Sequence, residues 1–178
     1  MCMAALSGCG FNRRQQGVAE LRRVGSAVGD MRIVVSAGVN QQEFSRRLTD
    51  SSIKIGDLQQ SMNRAFALFP EKDKPTVAEA YQHMAKAMDA YTKSKEFFGD
   101  THTEDLDPFR DHNMFGGSRY ESLRREFPNL EELKEGLRQS ISGEEVFYWR
   151  GDMLEALWKV AAEEDERAKA LIDQLAQG

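Results

Sequence analysis

The sequence predicts an all-α protein: an antiparallel four-helix, bundle-like domain with a short helical insertion between the third and fourth helices. Three observations support this fold class. Apolar residues recur every three or four positions over long stretches, which is the spacing of one helix face. The chain of 178 residues has only four prolines, and they fall near segment ends. No segment alternates apolar and polar residues convincingly, as a half-buried strand would.

An apolar stripe predicts the first helix, which should end near Gly38, because glycine is the residue most often found just past a helix C-terminus. Gly25 and Gly29 interrupt the stripe, and each costs about 1 kcal/mol relative to alanine within a helix. We expect these two glycines to let a neighbouring helix approach closely. The stripe consists of Leu21, Val24, Val28, Met31 and Val35.

Asn40 and Glu43 have the spacing of a capping box and predict the start of the second helix. The apolar stripe that follows alternates steps of four and three, which favours one continuous helix packed in a bundle. Because almost nothing separates the first two helices, the chain must fold back as a hairpin or bend at an angle. The second stripe consists of Phe44, Leu48, Ser51, Ile55, Leu58, Met62, Ala65 and Phe69.

Two further capping pairs predict the remaining long helices. Thr76 with Glu79 begins the third helix, which Gly99 ends, and Ser142 with Glu145 begins the fourth. Both helices continue as apolar stripes through residues such as Met84, Met88, Leu157 and Leu175. Glu164 interrupts the stripe of the fourth helix, and we expect the helix to extend beyond the core there.

The insertion covers residues from about 100 to 141. Its first part, 100–117, has the composition of a loop, and short helices are predicted around 119–127 and 130–140. Pro128 separates these two short helices. Each follows a capping pair, Ser118 with Glu121 and Asn129 with Glu132.

The charge is unevenly distributed. Residues 1–70 carry nine Arg and Lys against five Asp and Glu, whereas the rest of the chain carries fifteen against twenty-four, for a net charge of −5. A nucleic-acid-binding domain is normally strongly basic, so we expect no nucleic-acid partner. The basic first half either packs beside the acidic last helix or lies near anionic lipid headgroups. The arginines concerned are Arg13, Arg14, Arg22 and Arg23.

Both cysteines, Cys2 and Cys9, lie at the N-terminus. Leu6-Ser7-Gly8-Cys9 resembles the lipobox of bacterial lipoproteins. The resemblance implies diacylglycerol attachment to the Cys9 thiol, cleavage before Cys9 and acylation of the new amino terminus. Two or three acyl chains hold a protein firmly, whereas one alone binds marginally. Residues 1–9 are then the remnant of a signal peptide, whose start we expect upstream of Met1, and 10–178 form a single helical domain.

We therefore predict a lipid-anchored, non-enzymatic envelope lipoprotein, facing the periplasm or the cell exterior, with a partner-binding or structural role. Its membrane contact is the N-terminal lipid. The alternative is a cytosolic helical protein-interaction module, whose apolar N-terminus is only a first helical turn. Three consecutive aromatic residues, placed near the start of the fourth helix, either pack under the insertion or anchor a protein partner. They are Phe147, Tyr148 and Trp149.

A third possibility is a metal- or ligand-binding protein that uses the acidic loop 102–112. Imidazole and carboxylate groups at His102, Glu104 and His112 could hold a transition metal, although a solvated acidic loop explains the same residues. His83 has Glu79 one turn earlier, which predicts an ordinary surface pair. No catalytic, haem or phosphate-binding motif is present, so we expect no catalytic residues, no cofactor and no enzymatic activity.

Overall fold

The computed structural model describes residues 6–98, 114–133, 135–140 and 144–178, and only the backbone of 6–12, 114–115, 135–140, 144–145 and 147. Over these ranges the chain is mostly helical, which confirms the predicted helical class. The helices are α1 Leu6–Ser36, α2 Gln41–Ile55, α3 Leu58–Leu68, α4 Lys74–Ser94, α5 Gly117–Glu126 and α6 Arg150–Gln177. The strands are β1 Met114–Gly116, β2 Glu135–Ser140 and β3 Glu144–Trp149.

The chain forms two compact units. Unit 1 comprises the chain up to Asp89 together with Ala161–Gly178, and unit 2 comprises Ala90–Val160. The boundaries between them fall inside α4 and α6. Unit 1 therefore contains α1, α2 and α3, the first part of α4 and the last part of α6.

The two interior glycines of α1 lie against neighbouring helices of unit 1. A Cβ atom on Gly25 would lie 3.5 Å from Ile172 Cδ1, and one on Gly29 would lie 3.7 Å from Asp165 Oδ2, both in α6. A Cβ atom at these distances would make ordinary van der Waals contact, so the packing does not require glycine at either position and the predicted close approach is wrong. The buried apolar stripe of α1 contributes to the core of unit 1. The buried residues of α1 include Val18, Leu21, Val24, Val28 and Met31.

The turn between α1 and α2 has the predicted chemistry. Gly38 follows α1 with a φ of 75°, a left-handed conformation that favours glycine, and its N–H donates to the carbonyl of Val35. Asn40 caps α2, because its Oδ1 accepts a hydrogen bond of 2.9 Å from the N–H of Glu43. Both predicted boundaries are confirmed.

The predicted continuous second helix is wrong. Gly56 ends α2 with a φ of 64°, and Asp57 begins α3 by accepting a hydrogen bond of 3.0 Å from the N–H of Gln60. The interruption changes which face of the later segment is buried. Leu58 and Met62 of the predicted stripe are only half-buried, while the fully buried positions of α3 are Ser61 and Ala65.

The predicted cap of the third helix is also wrong. A short 3₁₀ turn at Glu71–Asp73 leads directly into α4 at Lys74, so Thr76 already lies inside the helix. The predicted apolar stripe of this helix is nevertheless buried from Val77 to Met88, with the hydroxyl-bearing Tyr81 among its members.

Unit 2 contains a three-stranded antiparallel sheet in the order β1-β3-β2. The predicted helix over 130–140 is wrong, because β2 occupies 135–140. The predicted start of the fourth helix near Glu145 is also wrong, because β3 occupies Glu144–Trp149 and α6 begins at Arg150. Ser142 lies outside the described residues. The predicted helix around 119–127 is confirmed as α5, which contacts β1 and β3. The end of the predicted loop, 114–116, is strand β1, and 100–113 lie outside the described residues.

Candidate functional site

Cys9, the predicted lipid-attachment residue, belongs to the first turns of α1, which begins at Leu6. Its side chain lies outside the described part of the structure. Arg13 follows four residues later and is exposed. Because four residues of helix rise by about 6 Å, Arg13 lies about one turn further along α1 than Cys9.

Four cations gather around this part of unit 1, and we call them the basic end: Arg13, Arg14, Arg22 and Lys72. Arg13, Arg14 and Lys72 line one groove with Phe69, and Arg14 and Arg22 line a second groove along α1. None of the described residues that line these two grooves is acidic. The charged side chains that line both grooves are thus all basic.

Two of these cations are held by acidic residues outside the grooves. Arg14 lies 2.8 Å from Asp73 Oδ2 and also donates to the carbonyl of Leu175. Arg22 lies 3.3 Å from Asp173, with both side chains exposed. Neither Arg13 nor Lys72 forms an ion pair with a carboxylate in the described part of the chain. The basic end therefore offers two exposed positive charges to solvent.

The fourth arginine of the predicted lipid-facing set, Arg23, is engaged elsewhere. It lies 3.0 Å from Glu20 and donates to the carbonyl of Lys54, while Arg64 lies 2.9 Å from the same Glu20. Hydrogen bonds from Arg23, and then from Arg64, lower the pKa of Glu20 to about 2. Arg23 therefore belongs to a charge cluster between α1 and α3.

Two uncharged hydroxyl groups lie beside this cluster. The buried Ser61 hydroxyl accepts hydrogen bonds from Arg64 at 2.8 Å and from Arg23 at 3.3 Å. Burial raises the pKa of the Tyr81 phenol to about 12, with a further contribution from the charge of Glu20. A tyrosine in this state keeps its proton throughout the physiological range.

A second charged group is buried between α4 and α6. His83 Nδ1 lies 2.5 Å from Glu164 Oε2, and Arg167 donates to the other oxygen of Glu164 at 2.8 Å. Glu79, the predicted partner of His83, lies 3.9 Å away. The expectation that α6 extends beyond the core at Glu164 is wrong, because this residue and Asp165 are buried.

The two buried carboxylates of this group differ in how they are paired. Glu164 has hydrogen bonds with both His83 and Arg167. Asp165 has Lys169 Nζ 2.8 Å from its Oδ2, but neither of its carboxylate oxygens accepts a hydrogen bond in the described part of the chain. In the part of the chain that the structure describes, no three His, Cys, Asp or Glu residues are grouped so that they could hold a metal ion. The arrangement is that of a buried ion-pair network joining two helices.

The three aromatic candidates for partner binding lie on the central strand β3, not on a helix. The ring of Tyr148 packs against that of Tyr120 in α5, with centroids 4.3 Å apart, and Trp149 is 42% exposed. Phe147 pairs in register with Gly116, and its side chain is outside the described set. The expected placement of these residues near the start of a helix is therefore wrong.

The metal candidates His102, Glu104 and His112 lie outside the described residues. Over the ranges that are described, no helix combines the length and hydropathy needed to cross a bilayer. No family model, curated protein or solved structure matches the chain. The geometry of the described residues is accordingly the basis for a functional proposal.

Sequence reasoning missed Lys72 and the buried Glu164 and Asp165. Lys72 lies in a charged connector, where composition alone gives no reason to associate it with Arg13. Glu164 did carry a signal, since a charged residue in an apolar stripe is either exposed or paired. Glu164 is paired, and its partner His83 is 81 residues away in the chain, so the local sequence could not show this.

Proposed function

We propose that this chain is a lipid-anchored, non-enzymatic protein of the bacterial envelope, facing the periplasm or the cell exterior, with a structural or partner-binding role. Acyl chains on Cys9 provide the anchor, and the basic end contacts anionic lipid headgroups beside it. The observation that carries the proposal is the position of Arg13, an exposed cation about one helical turn after the lipobox cysteine, which lines the same groove as Lys72.

The two contributions reinforce one another. Acylation supplies most of the affinity when two or more chains are attached. Each Lys or Arg close to an anionic leaflet adds about 1 kcal/mol, and this contribution falls off within a Debye length of about 8 Å at physiological salt. Arg13 is about 6 Å from Cys9 along the helix axis, which is within that range.

We also propose that the helices of unit 1 pack as an antiparallel, four-helix bundle-like body in which the α2–α3 pair takes the place of one long helix. α1 contacts both α2 and α3, and Gly25 of α1 lies against Ile172 of α6 and Met84 of α4. The His83–Glu164 pair joins α4 to α6. Such a body would present the basic end at one end of α1.

Labelling with radioactive palmitate in a bacterial host tests the anchor. We expect the full-length product, with its native upstream sequence, to take up label and to sediment with membranes. Cys9→Ser should lose both properties, and Cys2→Ser, a matched change outside the lipobox, should keep them. Equal labelling of all three proteins, or an unlabelled wild-type product in the soluble fraction, would refute the proposal and leave the cytosolic interaction module as the better account.

A vesicle experiment tests the basic end separately. The acylated protein should sediment more completely with vesicles of phosphatidylglycerol and phosphatidylcholine than with phosphatidylcholine alone. Arg13→Gln combined with Lys72→Gln should remove that difference. Lys86→Gln combined with Lys95→Gln, which removes two exposed lysines elsewhere, should retain it. An unchanged preference in the first double variant would exclude headgroup contact by the basic end.

A further inference from the structure

An aliphatic groove lies between α1 and α2 in unit 1. Ile33 and Val34 line it from α1, and Ile53 lines it from α2. Ile33 is 68% exposed and Ile53 is 73% exposed. Among the described residues, only one other large hydrophobic side chain, that of Trp149, is exposed to a comparable degree. Two large aliphatic side chains thus face solvent together at one place.

The core of unit 1 does not account for these side chains. Met31 is the last buried residue of α1, and the consecutive residues Ile33, Val34 and Val35 are exposed or half-buried. Consecutive helix positions point about 100° apart, so one core cannot cover all three. Leaving them in water forgoes the transfer free energy that burial of aliphatic surface supplies.

The charges around the groove carry both signs in equal number: Asp30 and Asp50, Arg47 and Lys54. Asp30 and Lys54 are 2.7 Å apart and connect α1 to α2 across the groove. Arg47 shares Glu43 with Arg46, so two cations use one carboxylate. Asp50 has no ion pair with any cation that the structure describes.

From this arrangement we infer that the groove is the interface for a second copy of this chain. A two-fold interface places the same patch on both subunits, so the patch must complement itself. A patch with equal numbers of acidic and basic residues around an aliphatic centre meets that requirement. The isoleucines form the centre of the interface, and Asp50 of each subunit pairs with Arg47 of the partner subunit at its rim. This inference is independent of the lipid anchor.

Sedimentation velocity of the full chain tests the dimer. The measurements use a Cys9→Ser background with reductant, so that neither acylation nor a disulfide contributes. We expect a concentration-dependent dimer, whose dissociation constant rises about tenfold or more in Ile33→Ser combined with Ile53→Ser. Gln82→Ser combined with Lys86→Ser, which removes two exposed side chains of α4 outside the groove, should leave it unchanged. A chain that stays monomeric at all concentrations, or an equal effect of both variants, overturns the inference.

A charge exchange tests the two-fold pairing itself. Asp50→Arg places like charges opposite one another across the interface and should weaken the dimer. Adding Arg47→Asp to that variant reverses both members of the pair and should restore it. Far-UV circular dichroism at a concentration where both variants are monomeric checks that the helices are intact. Failure of the double exchange to restore association in a folded chain overturns the proposed pairing.

Discussion

The imidazole of His83 and the carboxylate of Glu164 form a buried pair, with Nδ1 and Oε2 2.5 Å apart. The side chains are 15% and 3% exposed, so water solvates Glu164 very little. Arg167 bonds the second oxygen of the same carboxylate. Because a buried charge is tolerated only with partners, this pair ties the packing of α4 to that of α6.

Removing one member of this network should destabilise unit 1. His83→Ala leaves the Glu164 carboxylate with Arg167 alone, and we expect a loss of about 1–3 kcal/mol in the free energy of unfolding, because a hydrogen bond to a buried carboxylate is lost. Glu79→Ala removes the exposed carboxylate 3.9 Å from His83 and should change the free energy of unfolding by less than about 0.5 kcal/mol. Urea unfolding measures both. Similar small effects would show that the buried pair is energetically unimportant.

Stability should fall in acid because of Glu20. Its pKa in the folded protein is about 2, against an ordinary 4.5, so the folded state binds fewer protons than the unfolded state. The stabilisation is therefore complete above about pH 4.5 and is lost as the pH falls towards 2. Glu20→Gln should flatten the dependence of the free energy of unfolding on pH in this window, and Arg64→Gln should flatten it partly. If Glu20→Gln leaves the slope of the free energy of unfolding against pH unaltered, the loss of stability in acid is not due to Glu20.

Gly17 should not tolerate a side chain. A Cβ atom there would lie 2.9 Å from Phe69 Cδ2 and still closer to Cε2, and the Phe69 ring is buried. We expect Gly17→Ala to cost about 1–3 kcal/mol through overpacking. Gly151→Ala, in a helical position with no neighbour within 4 Å, should be neutral or stabilise by up to about 1 kcal/mol. Thermal unfolding measures the stability of the two variants. Equal midpoint temperatures would show that the Phe69 ring moves aside without cost.

The two helix caps around α2 and α3 should each contribute measurably. Asn40→Ala and Asp57→Ala remove the side-chain acceptors for the N–H groups of Glu43 and Gln60, at a cost of about 0.5–2 kcal/mol each. Asn40→Asp and Asp57→Asn retain the acceptor and should lose little. Denaturant unfolding gives all four values. An Asn40→Ala protein as stable as the wild type would argue against this boundary of α2.

The features predicted correctly are those decided by nearby residues. Asn40 caps α2 through a bond to the residue three positions later, and Gly38 takes a left-handed conformation in the adjoining turn. The same spacing misled at Glu145, because β3 forms there by pairing with β1 and β2. The available signal was composition, since Val146 and the aromatic residues after it favour strands over helices.

The charged site could be predicted only in part. Arg13, Arg14 and Arg22 were expected together because they lie close in sequence, and each lines one of two adjoining grooves. Arg23 lines neither groove, because it forms hydrogen bonds with Glu20 and Ser61 instead. Contacts between distant segments leave no local sequence pattern. Both the position of Lys72 in the basic end and the burial of Glu164 depend on such contacts.

The two residues of the His83–Glu164 pair are synthesised at different times. Unit 2 is encoded between the two residues, so a ribosome must finish the whole sheet before the carboxylate exists. At about 5–20 residues per second, the 81 positions that separate them take roughly 4–16 s. For those seconds the nascent α4 carries an apolar face, with Met84 beside His83, that α6 has not yet covered. Translation thus produces α4 well before the helix that buries its apolar face.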